Sequence, residues 1–424
     1  MSILLSRGRW PHGVLWSLLF GATALAHAAE TPSYAALLRQ AQSRAPQLLE
    51  QAANTRAAAA DARQARAWNN PSLNVTAENL GGPKPGGVTQ RQDTYTFSQT
   101  FEIGGKRAAR IEAEARKADV AGLREQHARI LYANELAVAY ATAEAMQLRQ
   151  QLADGDVARA EEDLRAGQAL VAAGREADLR VAQAKASVAA AQAALQSAMA
   201  NAIEALEHLS ALAGAAEPYA RIGHPFLAEA GDGAGTTTPR RGANWSAEQA
   251  PALRSAAAER DAVQAQVLVE QKRWMPDVGV SVGVRRFGWS NENAAVVGVT
   301  LNVPLLDRNQ SGVDAAKERA TGAALRLEAT RLETQARHRA AMAQVAAAAR
   351  SLEAAQQSET AATEAYRLGR IGYDAGKTTL MELLAIRRAL SEAKTLTIEA
   401  HLARVRAIAA LSMAEGRIAF GEAP

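Results

Sequence analysis

The side chains best suited to chemistry in this chain are its histidines and a GGKR tetrapeptide, and their spacing decides what they can do. Of the seven histidines, His12 and His27 fall in the N-terminal stretch, and His127, His208, His224, His338 and His401 are spread over the rest. No two form an HxxxH or HExxH pair and the chain has no cysteine, so no metal site is signalled. Gly104-Gly105-Lys106-Arg107 lacks the GxxxxGK[ST] spacing that wraps a phosphate. No Ser/His/Asp arrangement follows from spacing. The expectation is therefore a protein that is not an enzyme and needs no cofactor or metal.

The elements that would carry these residues are unusual. Aromatics are only 4% of the 424 residues, and the 13 prolines are unevenly placed. None lies between Pro85 and Pro218, or between Pro304 and Pro424. A proline inside a helix costs about 3 kcal/mol, so two such runs point to long helices. The net charge of +4 is small and both signs are interspersed. With no basic block interleaved with aromatics, nucleic acid is not an expected partner.

Arg7 and Arg9 precede the apolar run Val14–Leu25, and Ala26-His27-Ala28 offers small residues for a cut before Ala29. Residues 1–28 read as a secretory signal peptide. Without cysteine, the exported chain has neither disulfides nor a thiol to lipidate. No later apolar run reaches about 18 residues, so entry into a membrane would require a β-barrel.

The chain is written twice. Ala173-Gly174-Arg175 returns as Ala375-Gly376-Lys377, and Ala191, Ala198 and Ala205 return as Ala393, Ala400 and Ala407. The junctions Phe101–Arg107 and Val303–Asn309 lie at the same offset, and Pro71 and Pro276 open matched segments. Each half reads as helix, strand, loop, strand, very long helix, tight turn, long helix. The expected division is a first repeat at 29–213, a linker at 214–245, a second repeat at 246–416 and a tail at 417–424.

The strands are expected at about 72–79, 93–102, 277–287 and 295–303, from their two-residue period. Val278, Val280, Val282 and Val284 share one face; Gly279, Ser281, Gly283 and Arg285 share the other. Val297, Val299, Leu301 and Val303 alternate with Gly298, Thr300 and Asn302 in the partner strand. Two soluble hairpins, each with one face on a core, are one reading. Lengths of about 9–11 residues and small polar residues opposite the valines suit a membrane barrel with a wet lumen better. On that reading Arg285 faces the lumen. Arg286, of lipid-facing parity, sits at the loop end, where it can reach headgroups. A closed barrel needs about eight strands or more, so four strands demand an oligomer.

Runs of about 60 residues extend roughly 90 Å as helix and must pack side by side. Ile386, Ala389, Ala393, Leu396, Ala400, Ala403, Ala407 and Ala410 keep a coiled-coil spacing, as do Val188, Ala191, Leu195, Ala198, Ala202, Ala205 and Leu209. The reversals fall near Leu170–Arg175 and Ile371–Lys377, where glycine permits a turn.

The signal peptide, the duplicated halves, FEIGGKRAAR, VPLLDRNQSGV and the AGK-TTLMELL tip together resemble the TolC-like outer membrane efflux proteins, and the GGKR and LLDRNQ junctions look most like their cobalt-zinc-cadmium resistance branch. The resemblance covers essentially the whole exported chain. It implies a mainly α homotrimer in a Gram-negative outer membrane: a twelve-stranded β-barrel continued by a twelve-helix α-barrel through the periplasm. It implies a passive exit duct for divalent heavy-metal cations, docked to a periplasmic adaptor and an inner membrane pump of the resistance-nodulation-division (RND) type. The adaptor would contact Ala173, Gly174, Arg175, Ala375, Gly376 and Lys377, and an acidic constriction would map to Glu382. Arg180 occupies the matching first-half position and Ala385 stands where a further acid can occur, both departures from that ring. A multidrug duct and a soluble periplasmic coiled-coil adaptor are the alternatives, the latter disfavoured by the duplicated hairpins.

Overall fold

A computed structural model describes residues 29–174, 177–232, 245–290 and 292–420. The expected signal peptide, Arg175 and residues 233–244 of the expected linker lie outside the described residues. The chain order is β1 (Ala29–Thr31), α1 (Tyr34–Arg44), α2 (Pro46–Gln64), β2 (Ser72–Glu78), β3 (Gln92–Glu102), α3 (Lys106–Ala172), α4 (Asp178–Ala213), β4 (Tyr219–Ile222), α5 (Leu227–Asp232), α6 (Pro251–Lys272), β5 (Asp277–Phe287), β6 (Asn293–Leu301), α7 (Gln310–Asp374) and α8 (Leu380–Glu415).

The proline-free runs are single helices of 67 residues in α3 and 65 in α7. At about 1.5 Å per residue each is roughly 100 Å long. The duplication is preserved in detail: α4 and α8 are each 36 residues, and each ends in a left-handed glycine, Gly214 and Gly416. Such a residue caps the last carbonyls by folding its N–H back, which glycine does without strain. The helices end at Ala172 and Asp374, within the expected reversals near Leu170–Arg175 and Ile371–Lys377.

The long helices pack side by side in a single layer. Near the sheet α3 packs on α2 and α6, and α6 on α7; beyond, α4 and α8 replace α2 and α6, so that α3 lies between α4 and α8. Alanine along these contacts allows close approach but buries little. The expected seam of α4 holds, with Ala202 and Leu209 buried and Val188, Leu195 and Ala205 half-buried. That of α8 is corrected: Ala393, Ala400 and Ala407 are buried, but Ala389, Leu396 and Ala403 are exposed. Because α8 packs on both α7 and α3, its buried stripe swings to Leu402, Val405 and Ala409.

The main core sits midway along the helices. Leu37, Leu136, Tyr140 and Leu209 are fully buried there, each such side chain contributing about 1.5–3 kcal/mol. Phe226 packs on Tyr34, Tyr140 and Phe420 with ring centroids 5.0, 5.5 and 5.2 Å away. β1 and β4 pair in parallel beside this core, a contact the sequence reading did not contain.

The four longer strands form one antiparallel sheet in the order β2-β3-β5-β6. Each hairpin comes from one repeat, and the two join where β3 meets β5, with Phe97 opposite Val282. The last strand stops at Leu301, so Val303 lies two residues outside it, in the connection that leads to α7.

Candidate functional site

The register puts the apolar residues of all four strands on one face. Leu73 is opposite Phe97, Phe97 opposite Val282, and Val282 opposite Val297. That row crosses the whole sheet and is bare: Leu73 is 73% exposed, Phe97 49%, Val282 51% and Val297 75%. Val75, Tyr95, Val284, Val299 and Leu301 extend it, all exposed. The valine rows are not tucked against the chain's own helices. A contiguous apolar face of this extent marks contact with lipid or another protein rather than water.

The opposite face is small and polar. Thr94, Thr96, Ser98 and Thr100 of β3 face Arg285, Gly283, Ser281 and Gly279 of β5 in register. Gly283 has a steric reason to be glycine, since a Cβ there would sit 2.3 Å from the carbonyl oxygen of Tyr95. Arg285, expected on the lumen face, lies on this polar one. Its Nε donates to the Thr94 hydroxyl at 3.0 Å and its guanidinium lies 3.8 Å from the Glu78 carboxylate. Arg286 points with the opposite parity, at the loop end of β5 and across from Asp93.

The strand-to-helix junctions are locked by polar side chains. Lys106 Nζ donates to the Met275 carbonyl at 3.0 Å and to Asp277 at 2.8 Å, tying the first repeat's helix to the second repeat's strand. Arg110 holds Glu102 through two nitrogens. Asn309, with φ of 56°, precedes α7 and donates through Nδ2 to the Glu270 carbonyl and carboxylate at 3.0 and 2.8 Å. That bond holds Glu270 below the ordinary carboxylate range. Lys106 and Asn309 both fall in the junction motifs, so this part of the arrangement was legible.

At the far end, the reversals place Ala173 and Ala375 in the same cap conformation, with φ near −82° and −83°. Gly174 and Gly376 follow with φ of 69° and 70°, and a Cβ on either would meet nothing within 4 Å. They are open tips. The Lys377 N–H donates to the Gly372 carbonyl at 2.8 Å. Glu382 is exposed and fills a capping box at the start of α8: Thr379 N–H donates to its carboxylate at 2.9 Å and Glu382 N–H to the Thr379 hydroxyl at 3.3 Å. The backbone N–H, then the hydroxyl, hold its carboxyl below the usual range. The first repeat has Ala177 in place of Thr379 and Arg180 in place of Glu382, so only one hairpin carries this box.

Several functional-looking residues escaped sequence reasoning. Asp163 pairs with Arg387, and Asp156 accepts from Ser391 Oγ at 2.5 Å, linking α3 to α8 near the tips. Burial pushes the Asp163 carboxyl up despite the guanidinium. A seven-residue spacing on α3 facing a four-residue spacing on α8 was the available signal. Glu144, buried in α3, accepts from the Phe226 and Leu227 N–H groups at 2.8 Å each. Desolvation raises its pKa, against the pull of those two bonds.

Among the described residues no helix is long and apolar enough to cross a membrane. The family described as outer membrane efflux protein matches residues 37–215 and 244–417. The chain is 54% identical over 408 residues to the nickel-cobalt-cadmium resistance protein NccC of Alcaligenes xylosoxydans xylosoxydans, covering 96% of this chain and 91% of that one. It is 52% identical over 422 residues to the nickel and cobalt resistance protein CnrC of Cupriavidus metallidurans, covering 100% and 99%. The cobalt-zinc-cadmium resistance protein CzcC of that organism is 30% identical over 78% of this chain and 77% of its own. In fold, the MtrE outer membrane channel of Neisseria gonorrhoeae in its open state superposes with a TM-score of 0.75 at 17% identity, over 91% of this chain and 89% of that one. A duplicated chain with a lipid-facing sheet and a long helical layer, matched over both repeats, is thus placed: this protein belongs to the outer membrane efflux protein family.

Proposed function

We propose that three copies of this chain close into one outer membrane channel, the exit duct of a three-part pump that exports divalent heavy-metal cations. The observation that carries the reading is the sheet. Among the described residues it has one apolar face that no element covers, one polar face, and two unpaired edges, β2 and β6. Strand directions alternate across it, so β6 of one copy meets β2 of the next as an antiparallel pair. Such a head-to-tail contact between two different edges closes into a ring rather than a pair. Four strands are too few to close alone, and an unpaired edge in hydrocarbon leaves backbone groups unsatisfied at several kcal/mol each.

The polar face then lines the bore, with Arg285 in it, and the helical layer continues the wall into the periplasm. The exposed tips at Gly174 and Gly376, with Ala173, Ala375, Arg175 and Lys377, would meet a periplasmic adaptor, through which an inner membrane RND pump supplies the energy. Glu382, repeated by symmetry, would ring the bore near its narrow end. The cargo follows from the relatives' names, which specify nickel, cobalt and cadmium resistance.

The test is a deletion strain challenged with nickel, cobalt, cadmium, zinc and a panel of antibiotics. Sensitivity to the metals, restored by the gene in trans, is the expected result. Sensitivity to the antibiotics alone would move the assignment to a multidrug duct. Recovery of the native chain wholly in the soluble periplasmic fraction would overturn the channel itself.

A further inference from the structure

Both repeats carry a basic-tryptophan segment that the transport path does not use. Arg66-Ala67-Trp68 follows α2 and Lys272-Arg273-Trp274 closes α6, each just ahead of the proline that leads into a strand. Both tryptophans are exposed, Trp68 by 61% and Trp274 by 45%. Trp68 packs edge-on against Phe101, centroids 6.4 Å apart, and Phe101 stands in the apolar row opposite Val278. Trp68 therefore belongs to the lipid side, at the helical end of the sheet.

A cation stacks on it, and another lies at the same junction. The Arg107 guanidinium lies 4.6 Å over the Trp68 ring and donates to the Arg66 carbonyl. Lys272 reaches toward Gly105, with its Cε 4.0 Å from where a Cβ would be. Three acids at this level are already engaged, Glu102 by Arg110, Asp277 by Lys106 and Glu270 by Asn309 and Arg273, while Asp307 accepts from the Asn309 N–H. Arg66, Arg107 and Lys272 make no ion pair with a carboxylate among the described residues.

A tryptophan at the rim of an apolar band, with cations nearby that hold no direct ion pair, fits a ligand that is apolar above and anionic beneath. Indole rings settle at the membrane–water boundary and basic clusters there attract anionic headgroups. We propose that this rim binds the phosphate headgroups of anionic phospholipid in the periplasmic leaflet. Arg66, Arg107 and Lys272 supply the charge, and Trp68 and Trp274 the apolar seat. The proposal rests on the spanning sheet described above, and the experiment separates the two.

The assembled channel, without its signal and carrying Trp245→Phe and Trp289→Phe, is reconstituted with spin-labelled phosphatidylglycerol or spin-labelled phosphatidylcholine. Conductance verifies insertion, and quenching of Trp68 and Trp274 reports lipid occupancy. Phosphatidylglycerol should be enriched at the rim on the order of fivefold over phosphatidylcholine. Arg66→Gln/Arg107→Gln/Lys272→Gln should bring the ratio to about one, while Arg66→Lys/Arg107→Lys/Lys272→Arg keeps it. Lys272→Gln alone should lower it in part, and is the readout if the triple variant misfolds. Equal quenching by both lipids in the parent, or enrichment that survives the glutamine changes, overturns the lipid site. A conducting channel quenched by neither lipid overturns the tryptophan seat. Loss of both conductance and quenching in the parent overturns the spanning sheet beneath it.

Discussion

Val282→Arg against Ser281→Arg is the sharpest comparison the sheet offers, because adjacent residues of β5 point to opposite faces. Val282 stands midway along Asp277–Phe287, in the bare apolar row. At about 3.4 Å per residue it lies about 17 Å along the strand from either end, or about 12 Å along the membrane normal at a tilt near 45°. That is the middle of an apolar band about 25 Å tall, where an arginine costs about 2–4 kcal/mol. In a trimer the cost is incurred three times, about 6–12 kcal/mol per assembly, comparable to the stability of a domain. Ser281 instead faces the polar side, opposite Ser98 and Gly298. Arginine there should leave insertion intact and lower single-channel conductance by occupying the bore. The assay is the heat-resistant, membrane-inserted fraction after reconstitution, followed by conductance in planar bilayers. Normal insertion of Val282→Arg together with failure of Ser281→Arg would show that the two faces have been assigned backwards; normal insertion of both, with unchanged conductance, would refute the barrel.

At the tips, bulky residues at Gly174 and Gly376 meet no neighbour but are held at positive φ, a strain of about 1–2 kcal/mol each; the double variant should assemble normally and lose metal resistance, and unchanged resistance would remove the docking role. Glu382→Gln keeps the acceptor that the capping box needs and removes only the charge, so a fall in cation selectivity in bilayers supports the ring, whereas unchanged conductance and selectivity retire it and leave Glu382 as a helix cap. Glu144→Ala strands the buried N–H groups of Phe226 and Leu227 and should destabilise by about 1–3 kcal/mol per group, while Glu144→Gln keeps one acceptor without the cost of burying a charge and should melt within a few degrees of the parent. Asn309→Ala loses both bonds to Glu270 in a left-handed conformation; because Glu270 titrates below its ordinary 4.5 when folded, the stability difference between parent and variant should be complete above about that pH and shrink as the pH falls further, and a pH-independent difference would deny the carboxylate its part.

How far the site could be read in advance differs from residue to residue. Gly174 and Gly376 were found because a reversal between long helices needs a left-handed residue and the repeat shows the same one twice. Glu382 was singled out by the resemblance, from its offset from the tip glycine, and its bond to Thr379 was not foreseen. Asp163, Asp156, Arg387 and Ser391 look like solvated helix residues until α3 and α8 are side by side. Arg66, Arg107 and Lys272 are ordinary surface bases until the sheet sets Trp68 and Trp274 at its rim.

By itself the sequence determined whatever depends on neighbours along the chain. The strand faces follow from a local period of two residues and the two very long helices from the absence of proline, while the duplication shows in short motifs that return at one offset. On the proposed barrel, four short strands cannot satisfy their own edges, which asks for more than one copy. Tertiary structure alone decided what joins distant segments: β3 to β5, β1 to β4, and α8 to both α7 and α3. Asn134 likewise binds the Arg417 carbonyl and the Ala419 N–H, more than 280 residues away. Such contacts leave no period in an alanine-rich helix, because a single buried amide or carboxylate is chosen by the one backbone group it must satisfy.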